Sequence, residues 1–300
     1  MRPAFLIPGH RLSFLISGLL LVGLNLFALT PGSGHAQEVF IDLHSPSQLD
    51  RLQVIDVRSR KEFEESHLRD SLWLEVNTLD DPNPSFPGKL GSLDRLQLKL
   101  GSAGISAARP ILIVGSTIAA FGEDGRLFWI LHRFSSIPVQ ILNGGFKSLK
   151  HLPETMFQSS GPHGKAMPSS FIEDGNPISL KVPEELFSYD DFKLESKFRI
   201  FDVRSLPEYM GATPFGSSRG GHIPGAKWIP WNSFFDGSGK VLDTRKKEIV
   251  SKMGGIRPLV YCTAGYRSAL VFAVLLEWGL EPINYDGSWY EYSQRSSPTH

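Results

Sequence analysis

The strongest constraint in this sequence is that it contains one pattern twice. Val54-Ile55-Asp56-Val57-Arg58-Ser59 recurs as Ile200-Phe201-Asp202-Val203-Arg204-Ser205, 146 residues further on. Glu62-Phe63 aligns with Glu208-Tyr209 at the same spacing, and His67 to Trp73 answers His222 to Trp228 after an insertion in the second copy. Ile111 to Gly115 then answers Pro258 to Cys262, and Asn143-Gly144 answers Asp286-Gly287. Units this long are duplicated domains, because solenoid repeats are only about 20–50 residues each. Within each copy, short apolar runs alternate with helical stretches, which predicts an α/β fold with a parallel sheet covered by helices. Ser59-Arg60-Lys61-Glu62 and Ser205-Leu206-Pro207-Glu208 each read as a capping box that opens a helix after a strand.

Composition narrows the class. A 41% hydrophobic content with 21% charged residues belongs to a folded chain. Lys plus Arg and Asp plus Glu are equal at 31 each, so no basic excess points to nucleic acid or an anionic membrane. Residues 1–36 differ from the rest: Arg2 and Arg11, an apolar run from Phe14 to Leu29, and Pro31-Gly32-Ser33-Gly34 before Gly34-His35-Ala36. The run is short for a membrane span of about 20 residues. It reads as a signal peptide cut after Ala36, with an uncleaved anchor as the alternative. The expected product is periplasmic or secreted and leaves the membrane once the signal is cut. The expected divisions are a first domain over 37–151, a linker over 152–178 rich in Pro, Gly and Ser, and a second domain over 179–300. His151 and His163, near and in that linker, are expected to be solvated.

Cys262 is the only cysteine in the chain. A single thiol excludes an intramolecular disulfide, a Cys-rich zinc site and an iron–sulfur cluster built from this chain's thiolates, and no cofactor or metal is expected. Cys262 follows an apolar strand and opens Thr263-Ala264-Gly265-Tyr266-Arg267, which leads into the apolar helix Ser268–Trp278 closed by Gly279. In α/β sheets, ligand sites lie at the carboxyl ends of strands. A helix N-terminus there stabilises an anion, and the anion in this case is a thiolate. An inert buried cysteine is the competing reading.

The four segments Asp202-Val-Arg-Ser205, Arg219-Gly-Gly-His-Ile-Pro-Gly-Ala226, Val260-Tyr-Cys-Thr-Ala-Gly-Tyr-Arg267 and Tyr285-Asp-Gly-Ser-Trp-Tyr-Glu291 resemble, in that order, the rhodanese family of tandem-domain sulfurtransferases. Asp56-Val-Arg-Ser59, His67 and Leu142-Asn-Gly-Gly-Phe146 are the weaker counterparts in the first copy. The resemblance implies two tandem rhodanese domains, each a parallel sheet flanked by helices, with only the second catalytic. It implies that Cys262 takes sulfane sulfur from a small donor, holds it as a persulfide and passes it to a thiol, cyanide or a protein acceptor. The loop is most similar to that of exported bacterial thiosulfate sulfurtransferases. Thr263, Ala264, Gly265, Tyr266, Arg267 and Arg219 are the expected substrate-binding residues. Asp202, Arg204 and His222 are expected to be structural.

Some family variants fit less well. Rhodanese-like phosphatases have five residues between Cys and Arg, and this loop has four; its length leaves arsenate reduction open. Mercaptopyruvate-specific relatives have a hydroxyl residue two places after the Cys, where this chain has Ala264, and an Arg where it has Glu208. Both put mercaptopyruvate in doubt, and thiosulfate is the favoured donor, with another persulfide or a protein donor as alternatives. Gly115 stands in for the cysteine in the first copy, which implies a scaffold domain, with an anion site on the Gly115-Ser116-Thr117 amides as the alternative. A non-enzymatic persulfide carrier or a partner-binding pseudo-enzyme is the competing function.

Overall fold

The repeated apolar runs are the inner strands of two parallel sheets. The computed structural model describes residues 38–160, 178–183 and 186–295, without the side chains of 193–196. The signal segment, its cleavage point and His163 lie outside the described residues. In the first domain the strands are β1 (Phe40–Ile41), β2 (Gln53–Asp56), β3 (His67–Leu68), β4 (Leu72–Trp73), β5 (Ile111–Val114), β6 (Val139–Leu142) and β7 (Phe157–Gln158). Five of them form a sheet in the order β1-β6-β5-β2-β4, with every neighbouring pair parallel. In the second domain, β8 (Arg199–Asp202), β9 (Lys227–Trp228), β10 (Pro258–Tyr261) and β11 (Ile283–Asn284) make a parallel sheet ordered β11-β10-β8-β9. The order 6-5-2-4 thus recurs as 11-10-8-9. Helices cover these strands on both faces, which is why Ile111–Val114 is a run of apolar residues with no alternation.

The duplication extends to single hydrogen bonds. Arg58 Nη2 donates to Asp56 Oδ2 at 2.6 Å and to the Ser66 carbonyl at 2.7 Å; Arg204 Nη2 does the same to Asp202 Oδ2 and the Gly221 carbonyl at 2.6 and 2.7 Å. Trp73 Nε1 donates to Arg58 O and Trp228 Nε1 to Arg204 O, both at 2.9 Å. His222 stacks on Tyr209 and hydrogen-bonds its carbonyl at 3.0 Å. These groups tie the strand ends to their loops, the structural role expected of Asp202, Arg204 and His222. Both capping boxes are present, at Ser59 with Glu62 and at Ser205 with Glu208.

The described helices are α1 (Arg60–Glu65), α2 (Leu93–Ser102), α3 (Glu123–Phe134), α4 (Leu206–Tyr209), α5 (Lys246–Met253), α6 (Tyr266–Glu277) and α7 (Ser288–Arg295). The two domains meet where α3 lies along α6. Gly125 permits this contact, because a Cβ there would fall 2.2 Å from the Leu270 Cα. The largest apolar cluster runs through the interface, joining Leu127, Ile130 and Leu131 to Leu270, Val271 and Val274. No described helix is long and apolar enough to cross a membrane.

Packing against the first domain continues past residue 151. β7 pairs antiparallel with β3, His67 opposite Gln158, so the start of the expected linker closes the edge of the first domain. Ile178 and Leu180 are also buried in the shared core. His151 is exposed, its Nδ1 donating to the Ser148 carbonyl.

Candidate active site

Cys262 follows β10 directly, and the chain turns at Gly265 into α6. Gly265 has φ 82°, a left-handed conformation that glycine adopts without steric cost. A Cβ there would also meet the Asp286 carbonyl at 2.7 Å. The turn aims the Gly265 amide at Cys262 Sγ, 3.2 Å away, and the first turn of α6 adds the Ser268 hydroxyl at 3.6 Å. The N-terminus of α7 secures the same loop. Cys262 N donates to Ser288 Oγ at 3.2 Å, and the carbonyls of Cys262 and Thr263 accept from Trp289 N and Tyr290 N at 3.0 Å.

Burial pushes the Cys262 thiol up, but the Arg267 charge, the Ser268 amide and hydroxyl and the Ala264 amide outweigh it and hold the thiol below its ordinary value. The cysteine is 1% exposed yet lines a cavity of about 240 Å³ with Thr263, Ala264, Tyr266, Arg267, Tyr290 and Phe215, and with Phe121 and Glu123 from the first domain. The sulfur is therefore enclosed and can still be reached by a small molecule.

Arg267 is held by a carboxylate. Its Nη1 and Nη2 donate to the two oxygens of Glu208 at 2.9 and 2.8 Å, and Nη2 also donates to Thr263 Oγ1 at 2.7 Å. Thr263 Oγ1 donates in turn to Glu208 at 2.6 Å. Burial opposes ionisation of Glu208, but the hydrogen bonds and charge of Arg267, with the Ser205 and Thr263 hydroxyls, bring it down to about 2. Glu208 occupies the forked face of Arg267, whose charge still favours the thiolate. A carboxylate neutralised in this way does not repel a substrate as a free acid would.

Arg219, expected near the donor, sits to one side of the cavity. It does not line the cavity; its Nη2 donates to the Tyr292 carbonyl at 3.4 Å, and its own carbonyl accepts from Trp289 Nε1 at 3.0 Å. It joins the insertion of the second domain to α7. Ala264 does line the cavity, under Gly88 of the first domain, where a Cβ on Gly88 would lie 2.7 Å from the Ala264 Cβ. Tyr266 is fixed from the first domain too, by a 2.7 Å hydrogen bond from its hydroxyl to Asp80. The fully buried Arg126 reaches Asp286, and its guanidinium lies over the Tyr266 ring.

In the first domain the equivalent loop is filled. A Cβ on Gly115 would meet Asp124 Oδ2 at 2.6 Å, so the Asp124 carboxyl occupies the space a cysteine would need. An acid in that place is the wrong group for an anion site on the Gly115–Thr117 amides, which leaves the scaffold role. Burial pushes the Asp124 carboxyl up to about 6. The folded state therefore disfavours the charged form, a penalty absent below the ordinary carboxylate range and complete above pH 6, where it amounts to about 3 kcal/mol. Asp124→Asn is expected to gain up to that much stability at pH 8 and only a small part of it at pH 4, which urea denaturation at the two pH values checks.

Ser268, Glu208, Phe121, Glu123, Phe215, Tyr290 and Ser288 were not among the expected site residues. Glu208 carried two signals, its capping box and its place where mercaptopyruvate-specific relatives have an Arg, and neither gave a hint of a partner 59 residues away at Arg267.

The rhodanese-like domain profile matches residues 41–152 and 189–295. The chain is 27% identical to the 3-mercaptopyruvate sulfurtransferase of Rattus norvegicus over 88% of its own length and 93% of that protein's. It is 28% identical to the thiosulfate sulfurtransferase of Bos taurus over 80% and 82%. Among solved structures, the 3-mercaptopyruvate sulfurtransferase from Leishmania major superposes with a TM-score of 0.69 at 21% identity, covering 88% of this chain and 75% of the other. The Tum1 protein from Saccharomyces cerevisiae gives 0.69 at 18% identity, covering 86% and 96%.

Proposed function

Since this chain belongs to the rhodanese family, with the domain present twice and relatives that are sulfurtransferases along most of its length, we propose that it transfers sulfane sulfur through a persulfide on Cys262. One observation carries the reading. Cys262 Sγ receives the Gly265 amide and the Ser268 hydroxyl while facing a cavity that a donor can enter. The thiolate attacks the outer sulfur of thiosulfate, the S–S bond of the donor breaks, and sulfite departs with the electron pair. The extra sulfur then bears a negative charge inside the same ring of donors. In the second half-reaction a thiol or cyanide attacks that outer sulfur, and the Cys262 thiolate leaves.

Thiosulfate is the proposed donor because this chain has Ala264 and Glu208 where mercaptopyruvate-specific relatives have a hydroxyl residue and an Arg. The leader over residues 1–36 supports export, with a mature chain beginning at Gln37.

Intact mass spectrometry tests the proposal. Incubation with thiosulfate is expected to add the mass of one sulfur atom and to release sulfite, and cyanide is expected to remove that mass as thiocyanate. A chain that gains no sulfur from thiosulfate, 3-mercaptopyruvate or inorganic polysulfide would contradict it.

A further inference from the structure

Most polar side chains in the wall of the reaction cavity are already hydrogen-bonded within the protein. The Tyr266 hydroxyl donates to Asp80, the Tyr290 hydroxyl to the Phe215 carbonyl, and the Thr263 hydroxyl and Arg267 guanidinium are joined to Glu208. The groups still presented are the donors around the sulfur, the Ala264 methyl, aromatic faces and the Glu123 carboxylate. Phe121 and Phe215 are 56% and 45% exposed and touch, so they form one exposed apolar patch. Their rings stand edge to face, 6.0 Å between centroids at 89°, one from each domain, at the cavity that holds Cys262.

We propose that Phe121 and Phe215 determine specificity for the sulfur acceptor, selecting an organic thiol with an aryl or branched alkyl group, and that Glu123 disfavours acceptors carrying a carboxylate. This rests on the persulfide reading above and names the acceptor for its second half-reaction. The acceptor thiolate attacks the outer sulfur of the Cys262 persulfide, the S–S bond breaks, Cys262 departs as thiolate, and the acceptor leaves as a persulfide; no oxidant or reductant is needed. A cavity of about 240 Å³ has room for a single ring beside the sulfur. The ring would pack on the two phenylalanines in offset or edge-to-face contact. A carboxylate in the same place would face Glu123 with no unpaired cation among the described lining residues.

Single-turnover discharge of the loaded protein tests this. The persulfide is formed with thiosulfate or inorganic polysulfide, verified by mass, and mixed with phenylmethanethiol or mercaptoacetate. The wild type is expected to discharge to phenylmethanethiol with saturation and at least roughly ten-fold higher efficiency than to mercaptoacetate. Phe121→Ala and Phe215→Ala are expected to raise the half-saturating concentration of phenylmethanethiol by roughly ten-fold or more, with the limiting rate changed far less. Phe121→Tyr should restore it. Glu123→Gln should raise discharge to mercaptoacetate alone, since Gln can still accept the Phe121 amide that Glu123 accepts now. Equal use of the two thiols, or a preference unmoved by the alanine variants, would overturn the inference while leaving the persulfide reading intact. Failure to load from either donor would remove that reading and this inference with it.

Discussion

Cys262→Ser is expected to reduce sulfur transfer to the uncatalysed background and to abolish the mass gain from every donor, with folding unaffected. The chain has no second thiol to take over. Serine preserves the hydrogen bonds from Gly265 and Ser268, but a hydroxyl neither ionises near neutrality nor holds a sulfane sulfur as a stable adduct. Effects of this kind exceed the gains from binding or positioning, because every step passes through the one atom removed. A thiocyanate-forming assay with thiosulfate and cyanide reads the loss. Turnover that survives in this variant would show that sulfur moves without a covalent intermediate.

The second large effect is expected at Arg267. Removing its charge with Arg267→Met leaves Glu208, 2% exposed, without a cation. Breaking a buried pair in this way costs about 3–5 kcal/mol. The loss should be greatest at neutral pH. The Glu208 carboxyl is depressed to about 2, so the pair stabilises the fold above the ordinary carboxylate range, and this contribution disappears as pH falls through 2. Glu208→Gln should recover part of the loss when added to Arg267→Met, since the double variant buries no lone charge. Urea denaturation of the two singles and the double measures this. The same Arg267→Met protein should also alkylate more slowly at slightly acid pH, because the cation that favours the thiolate is gone. Additive stability losses would mean that the two residues do not act as a pair.

Much of this site was legible because the residues that make it are close in sequence. The strand–Cys–loop–helix order placed Cys262 at the end of β10, and Gly265 marked the turn, since both follow from local backbone rules. The repeated Asp-Val-Arg-Ser segments showed two domains because each builds the same local lock, Asp56 with Arg58 and Asp202 with Arg204. The cavity wall was not legible, because it is assembled across the fold. Phe121 meets Phe215, Tyr266 meets Asp80 and Arg267 meets Glu208 through contacts between residues far apart in the chain. The surroundings of Arg219 were not legible for the same reason. Its neighbours Gly220, Gly221 and His222 belong to a family signature, but α7 lies alongside and takes up its guanidinium and carbonyl. The 152–178 segment read as linker from its composition, although β7 within it is fixed by pairing with β3.

The pH profile of iodoacetamide alkylation of Cys262 in the intact protein measures the stabilised thiolate most directly. Half-maximal rate should fall clearly below pH about 8.5, the ordinary midpoint of a free thiol. A midpoint at or above that value would mean that Gly265, Ser268 and Arg267 do not hold negative charge on the sulfur.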